Sequence, residues 1–214
     1  MLVTCVMPAA AIAIHHVDDA LLVVEKPAGL LSVPGRLPEH QDCLISRVQQ
    51  QYPDARIVHR LDQVTSGLMV LARGKAAHRA LSIQFEKRQV GKRYQALVQG
   101  VVETDAGEID LPLICDWPNR PRQKVDFAQG KPSLTRWRVL ARDAQNQQTQ
   151  LALVPVTGRS HQLRVHLMSI GHPIVGDDFY GAAPAARVCL HAVALSFQHP
   201  ERAMPMLFES AAPF

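Results

Sequence analysis

Four cysteines are all the chain contains: Cys5, Cys43, Cys115 and Cys189. None stands in a Cys-x-x-Cys pair, which argues against a zinc knuckle, and their scatter argues against the disulfide framework of a small secreted domain. A reducing cytoplasm is the compartment expected. No window holds the roughly 18 apolar residues that a membrane-spanning helix needs, so no membrane partner is expected. The apolar start, Met1 to Ile14, has no basic leading region, contains Pro8 and runs into a strand-like segment, unlike a signal peptide. Gly29 and Gly35 do not form a phosphate loop of the Walker type, so ATP use is not supported. There is no His-Glu-x-x-His helix, and His161 and His166 are five residues apart, a poor spacing for one metal ion. Neither a metal site nor an organic cofactor is expected.

What is present fits a globular domain. The 214 residues are 47% hydrophobic and 20% charged, enough for one ample core. Residues 1–16 read as an N-terminal extension or edge strand, and residues 17–214 as one catalytic domain. The net charge of +4 and a pI near 9.0 favour a polyanionic partner.

Leu21, Leu22, Val23 and Val24 form an apolar run halted by Lys26-Pro27-Ala28-Gly29, which predicts a buried strand entering a turn. Helical spacing marks residues 43–51, stopped by Pro53, and residues 75–88, where Ala77, Leu81 and Phe85 make the stripe. A third helix is predicted from Ser160, striped by Leu163, Leu167 and Ile170 and closed by Gly171. Strands are predicted at residues 68–71, 94–98, 134–140, 150–154, 190–197 and 206–209. Residues 112–132, rich in Pro, Arg and Lys, read as a long loop or an irregular hairpin. Helices and strands alternate without regularity, which predicts an α+β fold with a mainly antiparallel or mixed central sheet, flanking helices and a catalytic cleft.

Chemistry concentrates in two runs. His59-Arg60-Leu61-Asp62, followed by Thr65-Ser66-Gly67, sets a carboxylate two residues after a guanidinium, in a turn between apolar segments. One reading is an ordinary turn aspartate beside a surface charge. The other is a nucleophile or base, since a cation within about 4–6 Å favours a carboxylate's anionic form. Far downstream, Gly158-Arg159-Ser160-His161-Gln162-Leu163-Arg164 opens a second basic run, with Arg164 on the flank of the predicted stripe and able to reach into a cleft.

Either run alone is unspecific, but the company is not. Glu25-Lys26-Pro27-Ala28-Gly29-Leu30, then the Asp62 run, then Lys92-Arg93-Tyr94, then residues 158–164, in that order, resemble the RluA-type RNA pseudouridine synthases. The resemblance runs from about Val17 to the C-terminus. It implies the pseudouridine synthase fold and a cofactor-free isomerisation of uridine in structured RNA. It also implies that Asp62 is the catalytic carboxylate, that Arg164 pairs with it, and that Tyr94 packs against the target base or ribose. Arg60 would enter the RNA where the base departs, and His59, Lys26, Arg120, Arg159 and His161 would contact RNA. Residues 110–121 are similar to the short bacterial members that modify both a tRNA anticodon stem-loop and a large-subunit ribosomal RNA hairpin. Their targets would be uridine 32 of tRNA and uridine 746 of 23S ribosomal RNA. The chain leaves no room for the extra N-terminal RNA-binding module of longer members, and a monomer would suffice.

The alternative is a non-catalytic RNA-binding or RNA-folding protein on the same scaffold, disfavoured because Asp62, Tyr94 and Arg164 are all present. A phosphatase acceptor aspartate would want a second Asp two residues on, and that place is Val64. A glycoside hydrolase would need a facing carboxylate, where these runs supply cations.

Overall fold

A computed structural model describes residues 12–202 and 204–214. The chain opens on an antiparallel pair, β1 (Ala13–Val17) and β2 (Leu21–Lys26). Residues 13–16 thus belong to an edge strand, while residues 1–11, with Cys5, lie outside the described residues. Then follow α1 (Leu44–Gln49), β3 (Ala55–Ile57), β4 (Ser66–Arg73), α2 (Gly74–Glu86), β5 (Gly91–Gln99) and β6 (Ala106–Asp110). A small hairpin, β7 (Leu113–Cys115) and β8 (Gln123–Val125), precedes β9 (Leu134–Asp143) and β10 (Gln148–Pro155). The chain ends with α3 (Gln162–Ser169), β11 (Leu190–Gln198) and β12 (Pro205–Glu209).

Ten strands form one mixed sheet in the order β1-β2-β4-β11-β5-β10-β9-β6, with β3 on β4 and β12 on β11. The α+β expectation holds. Every pairing in it is antiparallel except β4–β11, which is parallel and short: Ser66 faces His191 and Gly67 faces Ala192. That contact is the seam between two half-sheets. Past it the same edge of β4 turns to β3, and β11 turns to β12, so the halves fork apart.

Each half has its own cover. On β2 and β4, Leu22, Val24, Met69 and Leu71 face α1, while Leu21, Val23, Leu68 and Val70 face α2, so both strands are buried on both sides. This is why β2 reads as a continuous apolar run instead of an alternating one. In the other half, Ala96, Val98, Leu151 and Leu153 pack on Leu163 and Leu167 of α3. Tyr94 touches both the first and the last of these cores and so sits at the junction.

Three local features sharpen the sequence reading. Helix α3 begins at Gln162, two residues later than Ser160 suggests, because His161 takes the left-handed conformation at φ 51°. Residues 112–132 resolve into the β7–β8 hairpin, whose tip is the short 3-10 turn Trp117–Asn119. Strand β6, five residues with little periodicity, forms by completing the outer edge of β9. Among the described residues no helix is long and apolar enough to cross a membrane.

Candidate active site

The loop between β3 and β4 crosses the fork, and Asp62 lies on it. Both neighbours of Asp62 are pinned through their backbones. Ser32 Oγ donates to Leu61 O at 2.7 Å and accepts from Leu61 N–H at 3.1 Å. Gln63 O accepts from Gly29 N–H at 2.8 Å and from Lys26 Nζ at 3.1 Å, and Gln63 Nε2 donates to Gly29 O at 3.0 Å. Thr65 N–H closes the turn onto Asp62 O at 3.1 Å. The carboxylate is therefore held by contacts that leave its oxygens free, and its side chain is 29% exposed.

Helix α3 brings the facing cations. Arg164 Nη1 is 3.7 Å from Asp62 Oδ2, and His161 Nε2 is 4.0 Å from Asp62 Oδ1. Arg164 itself is buried and held by a second aspartate: Nε donates to Asp177 Oδ2 at 2.6 Å and Nη2 to Asp177 Oδ1 at 2.7 Å. Burial works against the charge on Arg164, but the Asp177 bonds and the Asp62 charge outweigh it and raise its pKa. His161 is pushed the other way by burial, with Asp62 opposing. Its Nδ1 and the Tyr180 hydroxyl are hydrogen-bonded at 2.6 Å, and the Tyr180 ring lies 4.9 Å from the Arg164 guanidinium. Burial carries the Tyr180 hydroxyl up to about 12.

Tyr94 approaches from β5. The register runs Gly67, Ala192, Tyr94 across three adjacent strands, so Tyr94 stands two strand spacings, about 10 Å, from the start of β4. Burial raises its pKa, and the charge of Asp62 raises it further. Asp62, Tyr94, Arg164 and His161 thus converge from the loop, the sheet and the helix.

One expected RNA contact, Lys26, is corrected, and a second, His59, already has partners inside the fold. Lys26 is wholly buried, and its Nζ donates to the carbonyls of Pro27, Leu30 and Gln63 at 2.8, 2.7 and 3.1 Å. An amine with all three protons spent on carbonyls has nothing left for a phosphate; it ties the Pro27 turn to the Asp62 loop. Burial drops its pKa to about 7, with Asp62 opposing. His59 is half-buried. Its ring stacks on Phe85 with centroids 4.4 Å apart, and Nε2 accepts the Val70 N–H at 3.1 Å. That N–H lies on the edge of β4 between the residues paired to β11 and those paired to β3, so the imidazole fills the gap in the fork. Burial pushes its pKa down to about 3, which keeps it a neutral acceptor.

The other basic candidates face water. Arg60 and Arg159 are exposed and form no salt bridge among the described residues, while Arg120 caps the hairpin tip, its guanidinium 4.3 Å from the Trp117 ring centre. His166, two residues beyond the second run, is structural: Nε2 donates to Leu111 O at 3.0 Å and Nδ1 meets Thr135 Oγ1 at 2.9 Å. Among the described residues no group of three or more His, Cys, Asp or Glu is placed to hold a metal ion.

Sequence reading missed Asp177 and Tyr180. The available signal was Gly176-Asp177-Asp178-Phe179-Tyr180-Gly181, acid and aromatic side chains between two glycines with φ of 82° and 93°. A side chain at Gly176 would collide with the Arg187 carbonyl, so the turn that presents Asp177 requires glycine there.

The family described as RNA pseudouridylate synthase has a sequence model that matches residues 20–169. The dual-specificity RNA pseudouridine synthase RluA of Vibrio parahaemolyticus serotype O3:K6 (strain RIMD 2210633) is 58% identical over 191 residues, 86% of this chain and 76% of that protein. The protein of the same name from Escherichia coli (strain K12) is 50% identical over 205 residues, covering 94% and 93%. Among solved structures, Human RNA Pseudouridylate Synthase Domain Containing 1 aligns with a TM-score of 0.81 at 30% identity, over 97% of this chain and 87% of that one. The matched span contains Asp62, Tyr94, His161 and Arg164, and this chain belongs to the RNA pseudouridylate synthase family, enzymes that isomerise uridine in RNA.

Proposed function

We propose that this enzyme converts uridine to pseudouridine at two RNA targets, with Asp62 as the catalytic carboxylate. The targets are uridine 32 in the anticodon loop of tRNA and uridine 746 in a hairpin of 23S ribosomal RNA. The dual specificity in the names of its relatives supports two substrates, as does the similarity of residues 110–121 to members that act on both. The observation that carries the assignment of Asp62 is its setting: an open carboxylate on a loop clamped at both neighbours, 3.7 Å from a buried arginine.

The reaction breaks the N1–C1′ bond, turns the uracil and forms a C5–C1′ bond. N1 gains a proton and C5 loses one, so the atoms balance without redox or group transfer and no cofactor is called for. A carboxylate promotes the first step by attack at C1′ or by taking the C2′ proton to give a glycal; both use Asp62 as an anion beside the ribose. Arg164, rigid on Asp177, orients that anion and balances its charge. Tyr94 offers its ring to the extruded uracil. Extrusion costs a few kcal/mol, and Arg60, exposed and without a salt bridge among the described residues, is the guanidinium that fills the vacated stack. Arg159 and His161 contact the RNA beside the cleft. All of these groups come from one chain, so a monomer in the cytoplasm is sufficient.

Pseudouridine mapping of tRNA and ribosomal RNA from cells lacking this protein tests the assignment. Two pseudouridines should vanish, return with the wild-type gene and stay absent with Asp62→Asn. Unchanged maps with retained RNA binding would favour a non-catalytic RNA-binding or RNA-folding role instead.

A further inference from the structure

The chain is poor in aromatics, with two tryptophans, three tyrosines and six phenylalanines, yet one tryptophan stands in water. Trp117, at the tip of the β7–β8 hairpin, is 64% exposed. The tip is closed: Asp116 N–H donates to Arg122 O at 2.9 Å, Arg122 N–H to Asn119 O at 3.0 Å, and Asn119 Nδ2 to Asp116 Oδ2 at 2.8 Å. The indole is therefore presented on a built turn. Arg120 backs it, with the guanidinium 4.3 Å from the ring centre and Nε donating to Trp117 O at 3.0 Å.

The tip is also wired to the reaction cleft. Gln123 N–H donates to the Tyr180 hydroxyl at 2.9 Å, and that hydroxyl meets His161, which faces Asp62. Beside this link, Phe179 is 38% exposed, with the Arg122 guanidinium 5.3 Å and the Arg164 guanidinium 5.6 Å from its ring centre. Arginine and aromatic side chains thus continue from Asp62 through Arg164, Phe179 and Arg122 to the hairpin tip. Arg120, Arg122 and Lys124 are exposed, and none forms a salt bridge among the described residues. Flat aromatic faces interleaved with guanidinium groups, those of Arg120 and Arg122 without salt bridges among the described residues, match the chemistry of unpaired nucleotides, whose bases stack while their phosphates carry charge.

We infer that Trp117 is a stacking platform for an unpaired base of the RNA substrate, outside the cleft that takes the target uridine, with Arg120 and Arg122 on the adjoining phosphates. The inference rests on the reading of the chain as an enzyme acting on structured RNA. It makes the hairpin a determinant of which loops are accepted, since a fully paired strand has no base free to offer.

Only Trp117 and Trp137 fluoresce as tryptophans, so Trp137→Phe leaves Trp117 as the single reporter. A synthetic tRNA anticodon stem-loop should quench that emission, and a fully paired duplex of the same stem should not. With the stem-loop as substrate, Trp117→Leu should raise KM about tenfold at unchanged kcat, and Trp117→Phe should stay within about threefold of wild type. Leu207→Ala, an exposed apolar residue on β12, serves as the control that moves neither constant. Absent quenching, equal quenching by the duplex, or an unaltered KM for Trp117→Leu overturns the platform. Failure of the wild type to form pseudouridine in the stem-loop would instead count against that target, while the fluorescence still decides the stacking.

Discussion

Asp62 and Asp177 both face Arg164, and burial divides their roles. Asp177 is fully buried and takes the fork of the guanidinium, whereas Asp62 stands open at 3.7 Å from its third nitrogen. Removing one member of a buried pair strands a charge and costs about 3–5 kcal/mol. Asp177→Ala should therefore lower Tm on the order of 10 °C in thermal denaturation, for a chain of this size. Asp62→Asn should abolish turnover with Tm essentially unchanged. Equal Tm for the two variants would mean that Arg164 is not anchored through Asp177. Asp62 was legible because its whole motif is local, within a few residues of a turn. Asp177 was not, because its bond to Arg164 joins two segments that only the packing of α3 brings together. Lys26 looked like an RNA contact for the same reason: a basic residue beside a motif reads alike in sequence whether it points outward or holds the loop from behind.

Helix α3 has a weak start, a left-handed His161 in place of a capping side chain, and it is held by Gln162 instead. The Gln162 amide oxygen accepts from the Thr157 hydroxyl at 2.7 Å and from Arg159 N–H at 3.0 Å, and its nitrogen donates to Leu134 O and Thr135 Oγ1, both at 3.0 Å. Gln162→Leu would remove these four hydrogen bonds, a loss of roughly 3 kcal/mol. Because residue 162 sits between His161 and Arg164, kcat should fall about tenfold at a temperature where the variant is still folded. Urea denaturation and single-turnover kinetics check the two halves; a destabilised variant with full kcat would show that the helix start does not position the site. The stripe of Leu163, Leu167 and Ile170 made this helix visible in the sequence. At residues 112–132 the sequence left a long loop and an irregular hairpin open, since three-residue strands carry too few side chains to alternate.

The whole molecule is two half-sheets meeting at two residue pairs, and the site lies where they fork. The seam demands Gly67: its φ is 118°, and a Cβ there would stand 2.5 Å from the backbone N and O of Ala192. Four imidazoles, two fully buried and two partly, are packed in the interior or at the cleft, where burial favours the neutral form. Burial lowers the pKa of His59 to about 3 and also lowers those of His161, His166 and His191. From about pH 6.5 downward the unfolded chain takes up protons at these positions more readily than the folded chain, so stability falls as pH falls through this range. Asp18 and Glu25 add to the loss at lower pH: burial opposes their charge, but hydrogen bonds from His16 and Ser210, among others, outweigh it and depress both pKa values. Tm should be lower at pH 5 than at pH 8 by at least about 5 °C. A flat profile would mean that these histidines are protonated in the folded protein.

By itself the sequence determined the family, the α+β class, the apolar runs that become β2 and β4, and the residues of the cleft that belong to local motifs. Such features depend on spacing along the chain, which periodicity and turn chemistry report directly. Only the tertiary structure decided the partner of Arg164, the inward role of Lys26, the partners of His59 inside the fold, and the run of rings and guanidinium groups from Asp62 to Trp117. Each of these depends on which side of an element faces a neighbour from a distant segment, and burial chooses that side only once the half-sheets have met.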